Sequence, residues 1–437
     1  MTDGTVLVQG LGSADWWLLT PDNTGSYQHG TWRQVASLPP GYTPQYFASA
    51  VLADGRLVIV GGEYNLGKFA LTNMGAIYDP KANTWKSLTP PTGWSYIGDS
   101  PSVVLPSGKF VVGNKLTTDM QELDPKTLTW TSLSSTGKSD FNAEEGWTLL
   151  SNGTMLTADV KNAPNSEIYE PTIQQWASAG STIVDLHSPP TQGCIHYGPG
   201  GKLCYYPPGE IGPQILRPDG TVFIAGSYTG NHGGGNTATY DSLTGAWKAG
   251  PVFPNKDNAG DSFAALLPNG NVLIEAVSGR SYEFDGAKLK AGPQTFGSLM
   301  VLPTGQVLVG GGTTSVYTST GTYQTSWEPT ISAYPSTVNR GATYSISGTQ
   351  FNGLSQAACY GDELETATNY PLVRITNKST NHVFYARTHD HSTMGVATGS
   401  EVVSTNFDVP PSMETGASKL EVVANGIPSV AVSITVQ

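Results

Sequence analysis

The chain has 437 residues, of which 13% are charged, and it contains 52 glycines and 30 prolines. This composition is typical of proteins with many short strands and turns, and it argues against a helical fold. The formal net charge of −12 disfavours a nucleic acid as partner. No apolar run reaches the roughly 18 residues that a membrane-spanning helix requires.

A short pattern recurs seven times along residues 1–321: an apolar run, a tight turn ending in glycine, and a second apolar run. The turns are Asp3-Gly4, Asp54-Gly55, Ser107-Gly108, Asn152-Gly153, Asp219-Gly220, Asn269-Gly270 and Thr304-Gly305. Asn-Gly and Asp-Gly between apolar runs predict β-hairpins in which both turn residues have positive φ. Strand repeats of this length are typical of propeller blades. The sequence therefore predicts a seven-bladed β-propeller.

Four repeats also place an acidic residue six positions before a tryptophan. The pairs are Asp79/Trp85, Asp124/Trp130, Glu170/Trp176 and Asp241/Trp247. We expect these tryptophans to pack between neighbouring blades, because a large flat ring suits the wedge between two twisted sheets.

The first turn lies at Asp3-Gly4, so blade 1 has no room in this chain for the inner strand that precedes the other turns. We expect that upstream residues, among which a secretion signal can lie, have been removed, and completion of the blade by another segment is the alternative. Cys194 and Cys204 lie in a glycine- and proline-rich insertion, residues 190–213. A disulfide between them would suit an oxidising compartment, and two unpaired thiols are the alternative.

The repeat pattern ends near Gly321, and residues 330–437 contain short alternating segments such as 372–376 and 430–436. Their spacing predicts an immunoglobulin-like β-sandwich. We therefore divide the chain into a propeller, residues 1–326, and a sandwich, residues 327–437.

A seven-bladed propeller followed by such a sandwich, ending in residues 427–437, resembles the galactose oxidases and glyoxal oxidases, which are copper-radical oxidases with kelch-type propellers. The resemblance covers nearly the whole chain and implies a site at one mouth of the ring axis. In that family a tyrosine cross-linked to a cysteine, a Tyr-His pair and a histidine of the last domain bind copper. Tyr46 matches the first tyrosine, whereas Gly260-Asp261 replace the pair and Glu365 falls at the histidine position. The cysteine position would precede Met1.

Tyr46 lies eight residues before its hairpin turn, and the same count in the other repeats gives a ring of candidate residues. They are Tyr46, Asp99, Glu144, Ile211, Asp261 and Phe296. Equivalent positions on inner strands line one mouth of a propeller, and we expect Glu365 to point into it from the last domain. Because converging carboxylates repel unless they are neutralised, the ring has to bind a positive charge, have raised carboxyl pKa values or remain solvated.

We assign Asp99, Glu144, Asp261 and Glu365 as ligands of a hard divalent cation, which would be calcium, or magnesium or manganese. Oxygen ligands suit these ions, whereas copper favours imidazole or sulfur, so copper is not expected. A cationic organic ligand, a paired lysine or arginine, and a solvated channel are the alternatives.

Aromatic residues lie on the same loops, and Trp94, Tyr96, Trp147 and Phe296 are candidates for stacking on a sugar ring. The alternative for these aromatic residues is packing beneath the loops. As catalytic candidates we name Tyr46, Glu144, Asp261 and His196. The histidine qualifies as a general base if its insertion folds over the mouth.

These observations favour a secreted, monomeric propeller that binds or acts on a carbohydrate or another small polar ligand at an acidic axial mouth. Two alternatives stay open: a non-catalytic carbohydrate- or surface-binding module, and a copper-radical alcohol or aldehyde oxidase. The sequence does not decide whether the protein is an enzyme.

Overall fold

The computed structural model describes residues 1–189, 193–197, 201–205, 209–228, 234–294, 297–310, 314–357 and 366–437, with 193–197 and 201–205 described by their backbone. Within these ranges the protein consists of β-strands, turns and two short 3-10 helices, Pro254–Lys256 and Thr325–Trp327. The same ranges contain no helix that is long and apolar enough to cross a membrane.

Seven small antiparallel sheets follow one another along the chain, three-stranded in blades 1 and 7 and four-stranded in blades 2–6. The strands of blades 1–3 and of a small side sheet (β4, β7 and β8) are β1 Val6–Gln9, β2 Trp16–Thr20, β3 Thr31–Gln34, β4 Pro44–Gln45, β5 Ala48–Val51, β6 Leu57–Val60, β7 Tyr64–Asn65, β8 Lys68–Phe69, β9 Gly75–Asp79, β10 Thr84–Ser87, β11 Ser102–Val104, β12 Phe110–Gly113, β13 Met120–Asp124 and β14 Thr129–Leu133.

The later blades repeat this order, with one extra hairpin (β19 and β20) between blades 4 and 5. Their strands are β15 Thr148–Leu149, β16 Met155–Ala158, β17 Asn165–Glu170, β18 Gln175–Ser181, β19 Gly193–Tyr197, β20 Gly201–Tyr205, β21 Gln214–Leu216, β22 Thr221–Ala225, β23 Thr237–Asp241, β24 Ala246–Ala249, β25 Ala264–Leu266, β26 Val272–Glu275, β27 Ser281–Phe284, β28 Leu289–Ala291, β29 Leu299–Val301, β30 Val307–Val309 and β31 Ser315–Tyr317.

The last domain is one curled sheet in the order β32-β34-β37-β36-β35-β38-β40-β33, with β39 paired to β38. Its strands are β32 Thr330–Ala333, β33 Thr337–Val338, β34 Thr343–Thr349, β35 Leu372–Asn377, β36 Val383–His389, β37 Val402–Asp408, β38 Gly416–Ala424, β39 Ile427–Pro428 and β40 Val432–Val436. The sheet encloses its own apolar core, which includes Phe351, Val373 and Phe407. The predicted propeller followed by a β-sandwich is confirmed, whereas the exact domain boundary at 326 stays a prediction.

The hairpin turns differ from the prediction in one respect. All seven turn glycines have φ between 75° and 84°, but none of the residues before them has a positive φ. Each glycine N–H donates to the carbonyl three residues earlier, as Gly55 does to Leu52 at 2.8 Å. These are type I turns closed by a left-handed glycine. Asp54 supports this geometry because its Oδ1 accepts the N–H of Arg56 at 3.0 Å.

The outer-strand tryptophans connect neighbouring blades, as predicted. The indole N–H of Trp85 in blade 2 donates to the carbonyl of Ala36 at the end of blade 1, at 3.0 Å. Trp247 in blade 5 does the same to Ala179 in blade 4, at 2.9 Å. These two rings therefore bury apolar area between sheets while their N–H groups stay hydrogen-bonded, whereas the buried N–H of Trp176 has no hydrogen-bond partner among the described residues.

The last domain packs on the face of the propeller that carries the hairpin turns. Gly4 lies against the Tyr385 ring, and Arg387 Nη2 donates to the carbonyl of Asp54 at 2.6 Å. One segment of the last domain also reaches the inner strands, because the carbonyl of Ala357 accepts the N–H of Leu266 at 2.8 Å. The inner strands begin at the opposite face, where the predicted ring residues that the structure describes lie.

Candidate functional site

Three of the predicted ring residues share an unusual backbone conformation. Tyr46, Glu144 and Asp261 have φ values of 54°, 58° and 50°, and each lies eight residues before its hairpin turn. A left-handed conformation costs a non-glycine residue about 1–2 kcal/mol. Such residues cluster at functional sites, where the rest of the structure holds them in place. Because the three left-handed residues occupy equivalent positions in their blades, the start of the inner strands is a candidate functional site.

A buried lysine lies at the centre of this mouth. Lys115 Nζ forms ion pairs with a carboxylate oxygen of Asp99 and, at 2.6 Å, with Glu144 Oε1. All three side chains are at most 6% exposed. The chain thus supplies an internal counter-ion for two of the four residues predicted to bind a metal.

Two further carboxylates complete the group. Burial and the neighbouring Glu144 and Asp261 raise the pKa of Glu210 to about 11, and its side chain hydrogen-bonds to both. Burial, together with repulsion from Glu144 and Asp261, also raises the pKa of Glu63, although Lys115 opposes this shift. These carboxylates therefore interact as one cluster. We call Glu63, Asp99, Lys115, Glu144, Glu210 and Asp261 the mouth cluster.

The members of the mouth cluster differ in their access to solvent. Asp261 is exposed, Glu63 and Glu210 are half-buried, and Asp99, Lys115 and Glu144 are buried. Burial and the nearby carboxylates raise the pKa of Asp99 in spite of its ion pair with Lys115. The cluster thus combines neutral and ionised carboxyl groups near neutral pH, which is the arrangement required for proton transfer.

The count back from each turn did not find Glu63 and Lys115. Glu63 follows the second strand of blade 2, nine residues after Asp54. Lys115 follows the second strand of blade 3, eight residues after Ser107. The second strand runs back to the mouth at which the first strand began, so a forward count from the same turns predicts both residues.

A line of aromatic rings flanks the mouth cluster. The Tyr46 and Tyr64 rings meet edge-on with centroids 6.0 Å apart, and Tyr64 and Phe69 do so at 5.8 Å. The charge of Glu63, followed by burial, raises the pKa of Tyr64, which places this ring beside the carboxylates. We call Tyr46, Tyr64 and Phe69 the aromatic rim.

The other predicted ligand-contacting residues have different surroundings. Trp94 is half-buried and packs against the apolar core between blades 2 and 3, and Tyr96 is half-buried. Trp147 is 0% exposed within the core of blades 4 and 5. Its assignment as a ligand-stacking residue is therefore corrected, because the ring has no surface that a ligand can reach. Ile211 is likewise fully buried.

Three predicted residues cannot be placed in the site. Phe296 and Glu365 lie outside the described residues, and His196 belongs to β19, whose side chains are not described. Their assigned roles in ligand binding, metal binding and proton transfer stay predictions.

Among the described residues, the donor atoms of the mouth are not those that copper favours. Its described members offer carboxylate oxygens, tyrosine hydroxyls and one lysine, whereas copper favours imidazole and sulfur ligands. A hard cation suits these oxygen donors better, although at Asp99 and Glu144 it would compete with Lys115.

A second acidic group lies within blade 4. One carboxylate oxygen from each of Asp140, Glu145 and Asp159 lies within 4.8 Å of the others, and all three residues are buried. This triad is close enough to hold a metal ion.

The fold recurs among solved structures. The chain superposes over its full length on the full length of a fungal alcohol oxidase of the AA5 family, described in complex with copper, with a TM-score of 0.52 and 14% identity. It also matches the extracellular domain of a putative one-component system from B. thetaiotaomicron, at 11% identity and a TM-score of 0.49, covering all of this chain and 55% of that one. No protein-family model and no curated protein sequence match the chain. The first likeness shows a shared propeller-and-sandwich fold.

Proposed function

We propose that the protein binds a carbohydrate-type ligand at the axial mouth and carries out acid–base chemistry on it. The observation that carries this proposal is the mouth cluster itself: five carboxylates meet around one lysine beside the aromatic rim, on left-handed backbone at Tyr46, Glu144 and Asp261. Structural strain at equivalent places in separate blades is expected where the side chains serve a ligand.

The chemistry of the mouth suits a polyhydroxylated molecule. Ionised carboxylates accept hydrogen bonds from hydroxyl groups, and a protonated Glu210 can donate one. The rings of Tyr64 and Phe69 offer apolar faces for the C–H side of a sugar. Recognition of a sugar requires both kinds of surface side by side, and the mouth cluster and the aromatic rim supply them.

Glu210 is the residue to which we assign the role of general acid. Its raised pKa keeps its proton at neutral pH, while the exposed Asp261 lies at hydrogen-bonding distance from it. Two neighbouring carboxyl groups in different protonation states are the usual requirement for general acid–base catalysis.

We also propose that a divalent cation binds at the mouth, at fewer residues than the four predicted ligands. Lys115 already neutralises Asp99 and Glu144, so Asp261 and Glu210 are the described carboxylates with which a cation can bind most directly. Binding there requires Glu210 to lose its proton, so we expect the affinity for calcium at the mouth to rise with pH.

The test is a binding and turnover screen of the purified chain against neutral, acidic and amino oligosaccharides. Tyr64→Ala should abolish binding, because it removes the central ring of the aromatic rim. Glu210→Gln should keep binding but abolish turnover, because an amide donates a hydrogen bond without transferring a proton. Glu401→Gln, an exposed position in the last domain, is the matched control.

Each outcome separates the possible functions. Binding without turnover in the unaltered protein would favour a non-catalytic module and remove the acid–base part of the proposal. Oxidation of an alcohol with bound copper would overturn it in favour of an oxidase. No binding to any oligosaccharide would overturn the carbohydrate assignment itself.

An extracytoplasmic location also belongs to the proposal, and the pairing of β19 with β20 supports it. Cys194 and Cys204 are directly opposite each other in this hairpin. Opposite residues of antiparallel strands have Cα atoms about 4.5–5.5 Å apart, within the range that a disulfide spans. Mass spectrometry of the non-reduced peptide tests the bond, and two free thiols in the native, secreted protein would contradict it.

A further inference from the structure

The buried acidic group of blade 4 has more negative than positive charge. Lys138 Nζ lies 2.7 Å from Glu145 Oε1 and 2.7 Å from Glu167 Oε2, and Asp140 and Asp159 lie beside them. Four buried carboxylates thus share one ammonium group.

Asp159 is the member whose environment points to a missing ligand. It is 2% exposed, and neither of its carboxylate oxygens has a hydrogen-bond partner. Asp140, by contrast, is held by backbone, since its Oδ2 accepts the N–H groups of Val160 at 2.7 Å and Lys161 at 2.8 Å. A buried carboxylate without a partner is strongly unfavourable unless it takes up a proton or a cation.

We propose that Asp140, Glu145 and Asp159 bind a calcium ion inside blade 4. The donors are all oxygens, as hard cations require, and they lie within 4.8 Å of one another, close enough for ligands of one calcium ion. Magnesium demands near-ideal octahedral geometry and usually keeps several waters, so a site of three protein carboxylates suits calcium better. Waters would complete the calcium shell.

This site is separate from the mouth, although the two are adjacent in sequence. Glu144 is bound to Lys115 of blade 3, whereas Glu145 is bound to Lys138. A calcium ion bound to the three carboxylates would connect the loop before β15 to the end of β16. It would thereby hold the left-handed Glu144 in place.

Terbium luminescence tests the proposal, because terbium resembles calcium in size and in its preference for oxygen. The indole N–H of Trp147 donates to Glu145 Oε2 at 3.3 Å, so a tryptophan lies beside the proposed ion and can sensitise its emission. In the full chain, treated first with chelator, terbium should give saturable tryptophan-sensitised emission that excess calcium displaces. Asp159→Asn should weaken terbium binding about tenfold or more.

Glu401→Gln, at an exposed position in the last domain, is the matched control and should leave the emission unchanged. Emission that survives Asp159→Asn, or that Glu401→Gln abolishes, would overturn the proposal. So would the absence of sensitised emission at saturating terbium.

A second measurement does not depend on a variant. Saturating calcium should raise the Tm of the unaltered protein by about 3 °C, and equal magnesium should raise it less. Asp159→Asn in chelator should keep a Tm close to that of the unaltered protein, because its oxygens have no protein partner to lose. A Tm that does not respond to calcium would overturn the site.

Discussion

The mouth cluster and the buried group of blade 4 are two acidic clusters of similar composition with different surroundings. Each surrounds one buried lysine that bridges two carboxylates, Lys115 at the mouth and Lys138 in the blade. The mouth cluster opens to solvent at Asp261, whereas every member of the blade group is buried. The mouth also has three left-handed residues, which the blade group lacks among its described members.

The mouth cluster and the acidic group of blade 4 therefore suit different roles. In the function that we propose for the mouth, the exposed Asp261 and the left-handed backbone would maintain a surface that exchanges protons and binds a ligand. In blade 4, backbone N–H groups and Lys138 hold the carboxylates in place, so an ion bound among them would stabilise the fold. The adjacent residues Glu144 and Glu145 belong to different clusters, because Glu144 pairs with Lys115 and Glu145 pairs with Lys138.

Lys138→Met should have the largest effect and would sharpen this distinction. The Lys138 and Glu145 side chains are 0% exposed, and Glu167 is 4% exposed. Removing one partner from a buried ion pair leaves charge uncompensated, which costs about 4 kcal/mol. Chemical denaturation measures this loss, with Lys248→Met at an exposed position as the control. A loss under about 1 kcal/mol would show that the blade group does not depend on its lysine.

Lys115→Met should cost less, about 3 kcal/mol at pH 8, because the mouth is partly open to water. The cost should shrink towards pH 5. Asp99 has a raised pKa, so at lower pH it is protonated and no longer needs the ammonium group. Denaturation curves at the two pH values measure the difference, and a cost independent of pH would contradict the proposed coupling.

The sequence was sufficient to locate the mouth but not to describe its electrostatics. The count from the turns found Tyr46, Asp99, Glu144 and Asp261, because blade strands keep their length between the turn and the mouth. It missed Lys115, since only the strands before the turns were counted. A paired lysine or arginine was among the alternatives, but the backward count did not identify Lys115 as that residue.

The misassignments have a common cause. Side chains alternate between the two faces of a strand. This alternation does not predict which way a side chain points in the loop before the strand. Glu145 and Trp147 lie within three residues of Glu144, yet they face the core of blade 4. Similarly, the turn sequence does not distinguish between hairpin types, and only the backbone shows that the residue before each glycine is not left-handed.

Glu210→Gln should stabilise the protein at high pH. The ordinary pKa of about 4.5 rises to about 11 in the folded state, so between these values the folded state holds a proton that the unfolded state has lost. Stability from this group is therefore complete below about pH 4.5 and falls as the pH rises. The amide removes this loss and should gain about 2 kcal/mol at pH 8, with almost no gain at pH 4.5. Equal gains at both pH values would contradict the raised pKa.

Asp261→Gly should have the smallest effect and tests whether the mouth is strained for function. Asp261 has a φ of 50° and an exposed side chain, so glycine relieves the left-handed backbone without leaving a cavity. We expect a gain of about 1 kcal/mol together with loss of oligosaccharide binding. Asp261→Ala separates the two causes, because it removes the charge but keeps a Cβ in the left-handed region, without the local hydrogen bonds by which asparagine tolerates that region. If the alanine variant gains as much stability as the glycine variant, then repulsion among the carboxylates, and not backbone strain, destabilises the folded protein at this residue.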